Sequence, residues 1–171
     1  MAIRKVGVLG CGLMGSGIAE VAAKAGFDVV VREVDRALLD KGMGRLRGSL
    51  DKAVEKGKLP ATERDAVLAR LRGTTEVTDL AGCDLVIEAI IENVEEKRKA
   101  YAAVGAVTGP EVILASNTSS LTITQMAMAT RRPDRFVGLH FFNPVPVMKL
   151  VEVVRTLLAD DAVVAEVTEF C

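Results

Sequence analysis

The stretch KVGVLGCGLMGSGIAEVAAKAGFDVVVRE, Lys5 to Glu33, decides the fold. Lys5 to Leu9 is a short apolar run ending in glycine, the pattern of a buried parallel strand. Gly10-Cys11-Gly12-Leu13-Met14-Gly15 follows as a G-x-G-x-x-G. Ile18, Ala19, Val21, Ala22 and Ala25 then recur at helical spacing up to Gly26, which ends the helix. Phe27 to Val31 is a second apolar run leading into Arg32-Glu33. Strand, glycine turn, helix, strand and acid in this order form the context that a dinucleotide fingerprint requires. Gly10 allows the tight turn, Gly12 lets a pyrophosphate approach the backbone, and Gly15 lets the helix pack on the strand. Cys11, Leu13 and Met14 contribute backbone. The helix N-terminus offers free N–H groups and partial positive charge to phosphates. Glu33 stands where a carboxylate accepts ribose hydroxyls and repels a 2′-phosphate, so the pattern favours NAD over NADP. Without such a ligand, the same residues make a plain glycine-rich strand-to-helix turn.

The rest of the chain is consistent with one domain of 171 residues. Half the residues are apolar and the formal charge is −1, so charge alone points to neither a nucleic-acid nor a membrane surface. The glycines interrupt any signal-peptide core, and no apolar stretch approaches membrane-spanning length. Cys11, Cys83 and Cys171 have no metal-ligand spacing; they read as free thiols in a reducing cytoplasm. Asn117-Thr118-Ser119 matches a glycosylation sequon that has no use without secretion.

Outward from the glycine turn, Asp35 to Gly57 has helical composition despite Gly42, Gly44 and Gly48. Thr62 is an expected N-cap, with a second short helix over Ala66 to Leu71. The two form an expected helical hairpin arm, residues 36–72, projecting beside the sheet. Its basic residues, Lys56 among them, read as a solvated face or an anion site. Thr74 to Val77 is an expected edge strand. Cys83 to Ala89 is a strong buried strand, and Val94 to Val107 a helix. Glu92 and Lys97 fall near the junction of the two, where open α/β sheets bind ligands; each can also be plain surface charge. Val112 to Ala115 is another buried strand, followed by Ser116-Asn117-Thr118-Ser119-Ser120. These small polar residues can bind a ligand or cap the helix Leu121 to Ala129, with Ser119 or Ser120 the expected cap.

The last stretch, RFVGLHFFNPVPVMKLVEVV, holds His140, the only histidine. Among apolar neighbours it reads as a core residue or as a proton-transfer group. Phe136 to Phe142 is an expected strand, Lys149 to Arg155 another, and Asp160 to Cys171 an amphipathic helix. A hairpin centred on Pro146 places His140 opposite Glu152. A carboxylate buried between valines is costly unless paired, so each residue supplies a reason for the other. The fold class is thus α/β, Rossmann-type, a mostly parallel sheet with helices on both faces and the projecting hairpin.

GVLGCGLMGSGIA at Gly7 to Ala19, DLVIEAIIEN at Asp84 to Asn93, ASNTSSL at Ala115 to Leu121 and GLHFFNPVPVMKLVEVV at Gly138 to Val154 together resemble the L-3-hydroxyacyl-coenzyme A dehydrogenase family, including its short-chain 3-hydroxybutyryl members. The resemblance implies NAD-dependent oxidation of the 3-hydroxyl of an acyl-CoA thioester. It implies His140 as general base, Glu152 as its partner, and Ser119 and Asn143 as contacts at substrate and nicotinamide. It further implies Glu33, Glu92 and Lys97 as cofactor contacts and Ser49 and Lys56 as coenzyme A contacts, with no metal. Family members continue beyond this chain with another strand, an active-site asparagine and a helical C-terminal domain that dimerises. The chain thus reads as the NAD-binding Rossmann domain, residues 1–171, without that C-terminal part. Its start at Met1 argues against the middle of a large multifunctional chain. By itself it is expected to bind cofactor and turn over little, and to leave apolar surface exposed. Two alternatives are a dehydrogenase using lysine as acid/base and a non-catalytic NAD-binding protein on the same fold.

Overall fold

In a computed structural model describing residues 2–171, seven strands form one sheet in the order β3-β2-β1-β4-β5-β6-β7. The strands are β1 Lys5–Leu9, β2 Asp28–Arg32, β3 Leu71–Thr74, β4 Leu85–Glu88, β5 Ile113–Ser116, β6 Phe136–Phe141 and β7 Val151–Val154. All neighbouring pairs are parallel except β6 with β7. After β3 the chain crosses back to the other side of β1, so the strand order reverses between β1 and β4. Ligands bind such sheets in the crevice outside the carboxyl ends at this reversal.

Residues of alternating parity point to opposite faces of a strand, and both faces of this sheet are covered. Val29, Val31, Leu85, Ile87, Ile113 and Ala115 share one core with Ile18 and Ala19 of α1 (Leu13–Lys24) and Val163 and Val167 of α6 (Asp161–Phe170). Val30, Val86 and Leu114 face the other core, with Tyr101 and Val104 of α4 (Val94–Val107) and Met126 of α5 (Ile123–Ala127). The continuous apolar runs of β2, β4 and β5 follow from this burial on two sides.

The arm departs from expectation in its end and in the cap of its second helix. Its helices are α2 (Arg36–Glu55), capped by Asp35 accepting from the Leu38 N–H, and α3 (Ala61–Ala69). Leu39, Leu46 and Leu50 are buried in the same core as Ile18, so α2 lays its one apolar face on α1. Gly42 permits this: a Cβ there would lie 2.1 Å from the Cys11 carbonyl oxygen. The arm also ends sooner than residue 72. Leu71 pairs with Val29 as the start of edge strand β3, so the edge strand expected over Thr74 to Val77 lies three residues earlier, at Leu71–Thr74, and Val77 begins a 3-10 turn. Pro60, not Thr62, occupies the N-cap of α3, where its oxygen accepts from the N–H groups of Glu63 and Arg64. Neither Ser119 nor Ser120 caps α5. Thr122 holds that position without a side-chain bond, while Thr118 Oγ1 accepts from the N–H groups of Ser120 and Leu121.

One structural residue escaped the sequence reading. Arg132 is buried, and its guanidinium donates to the carbonyls of Gly105, Thr108, Gly109 and Val112 and to Thr108 Oγ1. These groups lie at and just beyond the C-terminal end of α4, where carbonyls lack helical partners. Arg132→Met is expected to lower stability by about 1–3 kcal/mol, the cost of leaving buried acceptors unpaired. A lower urea midpoint at unchanged slope would show it; an unchanged midpoint would mean that water replaces the guanidinium without loss.

At the other sheet edge, Met148, Leu150, Val154, Leu157 and Leu158 are exposed on β7 and the segments flanking it. Among the described residues no helix is long and apolar enough to cross a membrane.

Candidate active site

The glycine turn closes at the end of β1. Gly10 has φ +92°, a conformation that disfavours side chains, and its N–H donates to Arg32 O at 2.9 Å. A Cβ on Gly15 would stand 1.9 Å from the Gly10 carbonyl oxygen, so this glycine is needed for close packing. Gly12 is different. Its φ is −69°, open to any residue, and a Cβ there would meet nothing within 4 Å. No side chain caps α1 at Gly12. The turn therefore leaves an open space in front of a helix N-terminus, the setting that suits a pyrophosphate. The site fits NAD by this test.

Leu13 is exposed at the start of α1 and Met14 packs partly on the core. Cys11 presents backbone only. Its side chain is buried, and burial followed by the nearby Glu33 charge raises the thiol from 9.0 to about 11, which leaves it a poor nucleophile. Glu33 lies at the end of β2 and ties the turn together. One oxygen accepts the Cys11 N–H at 2.8 Å and the other the Val34 N–H at 2.7 Å. Arg45, one of the arm's basic residues read as a solvated face or an anion site, reaches back from α2 to the Cys11 carbonyl and Ser16 Oγ, each at 3.4 Å. Its only sequence signal was a basic residue on a basic helix.

His140 and Glu152 face each other directly across β6 and β7, as the hairpin symmetry requires. Nδ1 and Oε2 are 2.8 Å apart. A carboxylate only accepts, so in the neutral ring that makes this contact Nδ1 carries the hydrogen and Nε2 the lone pair. The His140 ring also packs against Phe142 at 4.5 Å between centroids. One premise of the pairing fails: the Glu152 side chain is 53 % exposed, not buried between valines. Register, not desolvation, brings the pair together. β6 runs past the end of β5, since Ser116 pairs with Gly138, and this carries His140 beyond the carboxyl end of the neighbouring strand. Asn117 continues the pairing there by accepting the Phe141 N–H through Oδ1 at 2.9 Å.

Ser119 is exposed on the loop after β5, and Asn143 is exposed after β6, before a cis peptide to Pro144. No hydrogen bond among the described residues joins either of them to His140. Ser49 lies within α2 and Lys56 at its C-cap, both away from the histidine's hydrogen bonds. Glu92 is half exposed and accepts the Thr118 hydroxyl at 2.9 Å. Lys97 is no surface cation. It is 1 % exposed, with its ammonium turned inward to Glu88 at 2.6 Å and 3.7 Å from Glu92. Glu88, fully buried, was missed. The signal was present as one acid in the apolar run Leu85 to Ile91, a position that demands partners.

A Rossmann-type sheet that offers a dinucleotide crevice and a histidine–carboxylate pair along one edge has the architecture of nicotinamide-dependent dehydrogenases. Residues 5–171 match the family model described as 3-hydroxyacyl-CoA dehydrogenase, NAD binding domain, and the chain belongs to that family. It is 51% identical over 170 residues to the 3-hydroxybutyryl-CoA dehydrogenase of Mycobacterium tuberculosis H37Rv, covering 99% of this chain and 59% of the relative. It is 42% identical to the 3-hydroxyadipyl-CoA dehydrogenase of Escherichia coli K12, covering 98% of this chain and 35% of the relative. Among solved structures, M. tuberculosis FadB2 superposes with a TM-score of 0.97 at 50% identity, covering 99% of this chain and 60% of that one. The (S)-3-hydroxybutyryl-CoA dehydrogenase PaaH1 of Ralstonia eutropha gives 0.96 at 45% identity, covering 98% and 59%. The chain thus spans only about three fifths of the M. tuberculosis and Ralstonia relatives. The cofactor named by the family is NAD.

Proposed function

We propose that this chain is the NAD-binding part of an enzyme that oxidises the 3-hydroxyl of a short-chain L-3-hydroxyacyl-CoA to the 3-ketoacyl-CoA. The observation that carries the reading is the His140–Glu152 contact at 2.8 Å, with Nε2 left available at the carboxyl edge of the sheet. His140 takes the hydroxyl proton on Nε2 as general base. Glu152 holds the ring in the tautomer that makes Nε2 the acceptor, and it stabilises the charged imidazolium. NAD, when bound, supplies the hydride acceptor.

Gly10, Gly12 and Gly15, with the backbone of Cys11, Leu13 and Met14, hold the pyrophosphate against α1. Glu33 has a carboxylate at the end of β2 suited to the ribose hydroxyls. Ser119 and Asn143 contact substrate and nicotinamide from the loops that flank His140, and Glu92 lies on the cofactor side. Ser49 and Lys56 receive the coenzyme A portion along α2. The unmatched part of the relatives' length is assigned the water-excluding wall of the cleft and the dimer contact, so residues 1–171 alone bind NAD and turn over little.

The test is dehydrogenation of L-3-hydroxybutyryl-CoA by the full-length protein, followed as NADH absorbance, with the D isomer as control. NADH from the L isomer alone is the expected result. No NADH from L-3-hydroxyacyl-CoA of any chain length would refute the activity.

A further inference from the structure

We propose that Glu88 is a positioning residue that fixes, from inside the sheet, the loop carrying Ser119. Glu88 ends β4 beside the strand reversal and is fully buried. Four donors converge on it. Oε1 accepts the Ile90 N–H at 2.8 Å and Lys97 Nζ at 2.6 Å; Oε2 accepts the Tyr101 hydroxyl at 2.9 Å and Ser116 Oγ at 2.7 Å. That number matches the acceptor capacity of an ionised carboxylate. Burial and the Glu88 charge hold the Tyr101 phenol well above its usual range, so it remains a donor.

The two oxygens begin two arms that meet again. From Oε1 the path runs through Lys97 to Glu92 and on to Thr118 Oγ1. From Oε2 it runs through Ser116 Oγ to the Thr118 N–H at 3.3 Å. Thr118 Oγ1 in turn accepts from the N–H groups of Ser120 and Leu121, the residues just after Ser119. The ring closes around the root of this one loop. A buried ion pair gains little net stability over apolar residues of the same shape, so holding the sheet together does not account for it. Its place at the carboxyl edge, under a loop assigned to cofactor and substrate, does.

The inference rests on the NAD reading above, and its test separates the two. A double-mutant cycle of Glu88→Gln and Thr118→Val is read on NAD affinity by titration calorimetry. Each single change is expected to weaken binding about tenfold to a hundredfold, the loss that follows from misplacing a contact by about 1 Å. The double variant is expected to be no worse than the weaker single, because one ring is broken twice. Tyr101→Phe removes a donor outside both arms; it should lower the urea midpoint yet leave NAD affinity within about twofold of wild type. In the absence of NAD, hydrogen exchange of the Ser120 and Leu121 amides should quicken in Glu88→Gln and not in Tyr101→Phe. If Glu88→Gln does not fold, Ser116→Ala breaks only the second arm and takes its place in the cycle. Additive losses, or equal weakening by Tyr101→Phe, overturn the positioning role while leaving NAD binding intact. No NAD binding by the wild type overturns both.

Discussion

Replacing His140 by alanine in the full-length protein is expected to lower kcat by about 10²–10⁴, the usual contribution of a positioned general base. NAD affinity should stay within about twofold, since no residue of the glycine turn touches the histidine's hydrogen bonds. The fold should survive the change. His140 is partly exposed at 21 %, and Glu152, its one polar partner among the described residues, is half exposed and can turn to water. Glu152→Gln should cost less than His140→Ala, because the ring keeps a neighbour that can still accept from Nδ1 while losing the charge that favours the imidazolium. Stopped-flow measurement of NADH formation isolates this step from product release. Equal rates for wild type and His140→Ala would remove histidine from the chemistry and reopen the reading in which a lysine is the acid/base.

The second large effect separates two glycines three residues apart. Gly12→Val is expected to weaken NAD binding at least about tenfold, or about 1.4 kcal/mol. Stability should stay within about 1 kcal/mol, the cost of a poorer N-cap. The reason is geometric: at φ −69° with nothing within 4 Å of its would-be Cβ, Gly12 answers to no constraint inside the folded chain. What remains is the space in front of α1, which a valine would fill. Gly15→Ala should do the reverse to the fold. Its methyl would sit 1.9 Å from a backbone oxygen that cannot swing away, and overpacking of this kind costs about 1–3 kcal/mol or more. Calorimetric titration with NAD and urea unfolding of both variants measure the contrast. Wild-type affinity in Gly12→Val would mean that no phosphate approaches the turn there.

Much of this was legible because it is local. The glycine spacing and the two flanking strands lie within a single strand–helix–strand unit. The His140–Glu152 pairing follows from counting six residues to each side of Pro146, since a hairpin folds a chain back on its own neighbours. The supporting argument from a buried carboxylate was mistaken even so. Exposure of Glu152 depends on what covers the sheet edge at β7, which no short stretch encodes.

Long-range packing set the remainder. Gly42 looked like a weak point in a helix, and becomes a requirement only when Cys11, thirty-one positions earlier, lies against it. The arm's apolar stripe did not name its partner, because the core that buries Leu39, Leu46 and Leu50 is shared with α1. Lys97 looked like surface charge because Glu88 sits nine residues away on a different element.

The sequence by itself determined the fold class, the dinucleotide turn and the partner of the only histidine, because periodicity, glycine spacing and hairpin symmetry act within a few tens of residues. Only the tertiary structure decided which charges face inward, where the arm rests, and how the loop bearing Ser119 is held. Those outcomes depend on desolvation and on close approach between elements far apart in the chain. Neither has a value until the elements meet.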